Sequence, residues 1–257
     1  MSCEKSPNES VARRAVELHQ RGFTKAAIDI LEVELQDHPN RGNLWQLRAE
    51  LLHHQGRFDL ALENLEHALL LVPLQTKGHL LLADCHRRLG HDELATHIYL
   101  ELAEHTGLED NDLWQLLRGL AATGNWRQAA EVCRREVQQK PDDDRLLFCL
   151  AQSLVRLRQP AERVVPLLRR AIHLAPCNCR YRVVLVLQLL KHHRDQEAYD
   201  ELRQITATDV DSICCRGCLH RLLQLALSQG DADRAEALAR HLAEVNEDQS
   251  HHEEDLP

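Results

Sequence analysis

The residues best suited to chemistry in this sequence are sulfurs. Cys177 and Cys179 bracket a single asparagine, Cys215 and Cys218 form a Cys-x-x-Cys pair, and Cys214 adjoins the second pair. Four thiolates converging tetrahedrally would hold zinc. A Cys-x-x-Cys alone would also suit a thiol–disulfide couple, and inert thiols are the third reading. Convergence is demanding. Each pair falls at a turn between helical stretches, and turns of neighbouring helix pairs are displaced by about 10 Å, whereas a Zn–S bond is about 2.3 Å. A zinc site at Cys177, Cys179, Cys215 and Cys218 therefore requires one turn to fold towards the other, for which an insertion near Asp209 to Cys215 would make room. Cys85, Cys133 and Cys149 lie within helical pattern and read as small core residues.

Other chemistry is absent from the pattern. The 17 histidines are scattered; the adjacent pairs His53-His54, His192-His193 and His251-His252 would point to different faces of a helix and chelate poorly. No GxxxxGK[ST] phosphate loop, GxGxxG, GxSxG or HExxH occurs. The sequence implies no catalytic constellation and no cofactor.

What must position these side chains is helix. The chain has only 4% aromatic residues, 10 Gly and 8 Pro, and is crowded with Leu, Ala, Arg, Glu and Gln, which lose little freedom in a helix. Its most apolar run, Val183 to Leu190, is too short to cross a bilayer and contains Gln188. The polar opening residues do not read as a secretory leader, and nine cysteines, an odd number, suit reduced thiols. A cytoplasmic protein is expected.

Charge narrows the partners. A net charge of −9 argues against a general nucleic-acid binder. Against that background, Arg145 to Arg182 holds eight arginines (145, 156, 158, 163, 169, 170, 180 and 182), no lysine and one acid, Glu162. This stretch would attract an acidic partner segment, or its arginines would spread over several helix faces, some beside Asp142, Asp143 and Asp144, as solvated charge. Residues 247–257 carry five acids and no Lys or Arg. They read as an acidic disordered tail that would compete for the arginines.

The organisation is a repeat. Gly22, Gly56, Gly90 and Gly124 recur every 34 residues, and Ala27, Ala61, Ala95 and Ala129 keep the same step. Pro39, Pro73 and Pro141 share a third phase, with Gly107 in the slot between. Each marker has a physical role. Gly ends a first helix because it tolerates positive φ. Ala lets a second helix approach closely, and Pro blocks that helix from continuing.

This pattern resembles the tetratricopeptide repeat (TPR). The stretch 42–75 carries it best, with Trp45, Ala49, Leu52, Gly56, Phe58, Ala61, Leu65, Ala68 and Pro73 in register. The next keeps Leu82, Ala83, Gly90, Ala95 and Tyr99; the fourth keeps Gly124, Trp126 and Ala129, with Trp114 one place later than the family's helix-A tryptophan. Beyond Pro141 the match loosens: one extra residue near Gln159-Pro160, a sixth repeat without its Gly, and three inserted residues before the seventh. The resemblance implies an all-α, right-handed superhelical solenoid of antiparallel helix pairs, about seven TPR units at 8–41, 42–75, 76–109, 110–143, 144–178, 179–212 and 216–246, after a flexible segment 1–7.

The same resemblance implies a function. Family members hold peptides in a concave groove lined by helix A. The matching places here are Asn43, Gln46, Glu50 and His53; Lys77, Leu80, Asp84 and Arg87; Asn111, Trp114 and Arg118; and Arg145, Phe148 and Gln152. Trp114 and Phe148 with Arg87, Arg118 and Arg145 would suit a protein or peptide bearing acidic or aromatic side chains. Alternatively, Trp114 and Phe148 fill space between helices. The carboxylate clamp of chaperone-tail receptors is not matched, since the first repeat offers Ala12 and Val16 instead of Lys and Asn. A non-catalytic scaffold or adaptor is the leading expectation. A regulatory or substrate-presenting subunit of an enzyme complex and a metal- or thiol-responsive array are the alternatives.

Overall fold

The computed structural model describes residues 7–245. The anticipated tail, 247–257, and nearly all of the segment 1–7 lie outside them. The described residues form fifteen helices and no strand, in two compact units divided after Thr123. The N-terminal half contains α1 (Pro7–Gln20), α2 (Thr24–Asp37), α3 (Gly42–His54), α4 (Phe58–Leu71), α5 (Thr76–Arg88), α6 (Asp92–Ala103) and α7 (Asp110–Ala122). The C-terminal half contains α8 (Trp126–Gln139), α9 (Asp144–Arg156), α10 (Ala161–Leu174), α11 (Cys179–Lys191), α12 (Asp195–Leu202), α13 (Ala207–Val210), α14 (Arg216–Ser228) and α15 (Ala232–Glu244). The fourth repeat is thus shared: its first helix closes one half and its second opens the other.

In the N-terminal half α1/α2, α3/α4 and α5/α6 pair, each pair packs on the next, and α7 covers α5 and α6. Ala27, Ala61, Ala68 and Ala95 are fully buried, and Leu31, Leu44, Leu52 and Leu65 fill the space between helices. Gly56 shows the punctuation at work. At φ +74° it sits beyond the end of α3, and the Gly56 and Arg57 amides turn back to donate to the His53 and Leu52 carbonyls. These bonds satisfy carbonyls that the helix end would otherwise leave open.

One contact is tuned to this half. Tyr99 of α6 is buried, and a Cβ built on Gly119 of α7 would lie 2.3 Å from its ring. The large phenol occupies space that the neighbouring helix vacates by having no side chain.

The C-terminal half keeps the pairing, with α9/α10, α11/α12 and α14/α15, but changes the punctuation. Arg158 (φ +53°) and His193 (φ +55°) stand where glycine would close α9 and α11. Their turns carry the same backbone bonds, from Arg158 and Gln159 to Val155 and Leu154, and from His193 and Arg194 to Leu190 and Leu189. The inserted stretch overlaps the end of α13 and continues beyond it. The Thr206 side chain accepts from the Asp209 amide and the Asp209 carboxylate accepts from the Thr206 amide. Ile205, Val210 and Ile213 are buried, and Arg234 of α15 donates to the carbonyls of Ile205 and Arg203 at 2.6 and 3.3 Å. The insertion is therefore packed structure.

Candidate protein-interaction face

The first helices of consecutive repeats pack in succession in the N-terminal half, α3 on α5 and α5 on α7; of the helix-A places on them Leu80 is buried, contrary to a groove-lining role, and the others keep some exposure. Most charges on this face are already matched. Lys77 Nζ lies 2.7 Å from Glu50 Oε2, and Gln46 reaches the other Glu50 oxygen at 3.5 Å. Asp84 is the hub of a second group: His53 Nε2 is 2.7 Å from Oδ2, while Arg87 donates to Oδ1 through Nε and Nη2 at 3.1 and 2.6 Å. Burial alone would raise the Asp84 pKa, but the hydrogen bonds from His53 and Arg87 outweigh it and hold the carboxyl well below its usual range. Both groups bridge α3 and α5. Arg87, one of the places the resemblance turns towards a ligand, is engaged by Asp84 one turn away on the same helix.

An open depression of about 850 Å³ lies at one end of this face, lined by Lys77 and Asn111 among others. Glu104, Glu109 and Asp112 share its wall. Burial, together with Glu109, pushes the Asp112 carboxyl up, against the opposing pull of Lys77. This end repels acidic groups. Two turns along α7 the sign changes. Arg118 is exposed and has no ion pair with a described residue, one helical turn from the half-buried Trp114. Asn43, also exposed, lies at the start of α3.

The C-terminal candidates fare differently. Phe148 is fully buried, its ring 4.3 Å from that of Tyr181, which donates to Asp144 at 2.7 Å. It fills space between α9 and α11 and is not a surface contact, contrary to the expectation that it pairs with Trp114 over a ligand. Arg145 remains exposed at the start of α9.

The arginine excess is dispersed. Arg169 bonds Glu197 at 2.8 Å, Arg170 bonds Asp142 at 3.0 Å, and Arg182 lies 3.5 Å from Glu201. The Arg156 and Arg180 guanidiniums lie over the rings of Trp126 and Phe148 at 5.3 and 5.6 Å. Acids outside the run thus pair with Arg169, Arg170 and Arg182. The competing tail lies outside the described residues.

The four cysteines do not come together. Cys179 lies against the insertion, its sulfur 3.0 Å from Ser212 Oγ. Cys215 caps α14, its sulfur accepting from the Cys218 amide at 3.3 Å. Cys177 is exposed on the turn before α11. No group of three or more His, Cys, Asp or Glu is placed to hold a metal among the described residues. The physical reason is the insertion, which continues from the end of α13 and packs inward instead of carrying one turn to the other. Cys85, Cys133 and Cys149 are buried, as their helical setting implies.

No protein-family model and no curated protein matches the sequence. Solved structures do. The C-terminal part of a TPR repeat-containing protein from Cytophaga hutchinsonii superposes with a TM-score of 0.69 at 12% identity, over 93% of this chain and 97% of that one. The fold is that of the tetratricopeptide repeat. YrrB, described as a TPR protein with an unusual peptide-binding site, matches at TM-score 0.56 and 15% identity, over 66% of this chain and 88% of its own. A chain of Naa15/Naa10 bound to HypK-THB matches at TM-score 0.55 and 12% identity, over 92% of this chain and 37% of that one. No helix among the described residues is long and apolar enough to cross a membrane.

Proposed function

We propose that this protein is a non-catalytic interaction scaffold of the cytoplasm that holds a peptide or protein segment on the helix-A face of its N-terminal half. One observation carries the reading. On a surface where Glu50, Lys77, Asp84, His53 and Arg87 are matched internally, Arg118 stands exposed without an ion pair to any described residue, one turn from the indole of Trp114. A guanidinium with an aromatic neighbour is a common anchor for a carboxylate or an aromatic side chain. The acidic residue of the partner sits towards Arg118, because Glu104, Glu109 and Asp112 disfavour it at the Lys77 and Asn111 end. That YrrB is described as binding peptide supports the general reading.

The test is affinity purification with the intact chain beside a Trp114→Ala, Arg118→Ala variant. The variant is expected to keep its thermal stability and to lose a protein that the intact chain retains. For a measured partner the loss is expected to exceed tenfold, since central anchors contribute about 2 kcal/mol or more. An unchanged partner set overturns the assignment. The similarity to a chain of the Naa15/Naa10 assembly favours a second reading, a regulatory or substrate-presenting subunit, which stoichiometric co-purification with one enzyme would identify.

A further inference from the structure

The third repeat breaks its own pattern at two places that meet. Four residues before the helix-ending glycine, the first, second and fourth repeats carry Leu18, Leu52 and Leu120, but the third carries His86. Leu52 and Leu120 are buried core residues. One residue after that glycine, where the others have Phe23, Arg57 and Asn125, the third repeat has His91. The turn between α5 and α6 closes on Gly90 at φ +80°, with the His91 amide donating to the His86 carbonyl at 2.8 Å. This brings the rings together, centroids 5.5 Å apart and planes at 51°. The two Nδ1 atoms are 3.3 Å apart.

That separation has a chemical meaning. Two imidazole nitrogens on one tetrahedral ion, each at about 2.0–2.1 Å, are about 3.3–3.4 Å from each other. We propose that His86 and His91 form a two-point chelate for a divalent transition-metal ion of the zinc, nickel or copper class, which imidazole suits. Without the ion, one ring donates its Nδ1–H to the other Nδ1. On binding, that proton moves to Nε2 of the same ring, and both Nδ1 lone pairs face the metal. No third His, Cys, Asp or Glu joins the pair among the described residues. The ion keeps open positions, for water or for a donor from a bound protein. The centroids 5.5 Å apart set the two rings nearly end to end, so on binding each ring also turns to aim its Nδ1 lone pair at the ion, while the turn at Gly90 keeps both ligands close.

The test uses the full chain, with Zn²⁺ or Ni²⁺ alone as the probe in a non-chelating buffer. His86→Leu and His91→Asn install residues that sister repeats already carry at these places, so the helix content seen by circular dichroism is expected to persist. Calorimetry is expected to show one equivalent bound by the parent chain, with each variant weaker by at least about tenfold, the smaller loss seen when even a supporting group of a metal site is removed. Paramagnetic Ni²⁺ is expected to broaden the His86 and His91 ring resonances ahead of other histidines. Parent and variant isotherms that coincide, absence of binding to the parent chain, or first broadening elsewhere would each overturn the assignment.

Discussion

The two halves of the chain use the same helix pair and stabilise it by different means. The N-terminal half keeps the 34-residue step, ends α1, α3 and α5 beside glycines, and links consecutive first helices through side-chain groups centred on Glu50 and Asp84. The C-terminal half loses the step. Arg158 and His193 take the positive-φ places after α9 and α11, while Gly230 keeps glycine after α14, and Arg234 of α15 reaches the Ile205 and Arg203 carbonyls just before the inserted stretch. The lesson is that the repeat needs the backbone conformation at each turn more than it needs glycine, provided that packing elsewhere offsets the strain.

The largest expected effect tests how tightly the regular half is built. Gly119→Ala places a methyl 2.3–2.7 Å from Tyr99 ring atoms, and overpacking of this kind is expected to cost about 2–3 kcal/mol. Urea unfolding of the variant would measure it, and a companion Tyr99→Leu change is expected to recover part of the loss, since Leu65 holds that place in the second repeat.

Next comes the charge hub. Asp84→Asn is expected to destabilise the chain by on the order of 2 kcal/mol, because His53 and Arg87 lose a charged acceptor. The sign with pH follows from the lowered pKa of Asp84 in the folded chain. Its contribution is fully present above the ordinary 3.8 and is lost as pH falls through the depressed folded value. The gap between parent and variant in a stability–pH series should therefore be constant near neutrality and narrow below about pH 4. A gap that widens on acidification would break this account.

The smallest effects bear directly on the punctuation. Arg158→Gly and His193→Gly are each expected to stabilise by about 0.5–1 kcal/mol, relieving positive φ against glycine's greater entropy in the unfolded chain. Gly56→Ala is expected to cost about 1 kcal/mol for the same reason with the sign reversed. Thermal midpoints that move the same way in both halves would erase the distinction between them.

Legibility followed the same division. The glycine, alanine and proline phases are local in sequence, so the helix pairs up to Pro141 could be read directly, and Ala27, Ala61, Ala95 and Ala129 are fully buried as small interface residues. In the irregular repeats the spacing points to extra residues but not to the structure they adopt. Nothing in the spacing of Asp209 to Cys215 says that Val210 and Ile213 turn inward. The candidate site was read by place and not by state. Helix register put Glu50, Asp84 and Trp114 on one surface, but whether a charge there is matched depends on partners such as His53 and Asp84, 31 residues apart. The pairing of His86 with His91 went unread for a different reason. Only comparison of like positions, where leucine gives way to histidine, signals it.

By itself, then, the sequence determined the helix pair, its 34-residue period and the small residues at its contacts, because these follow from φ preference, side-chain size and helical spacing. Tertiary structure alone decided that Phe148 packs on Tyr181 as core, that Asp84 also takes His53 from another helix, and that four cysteines stay apart. Each of these depends on distances between segments remote in sequence, which the packing of one helix pair on the next sets and which periodicity does not encode; Arg87 with Asp84, and His86 with His91, are local contacts within α5 and its closing turn.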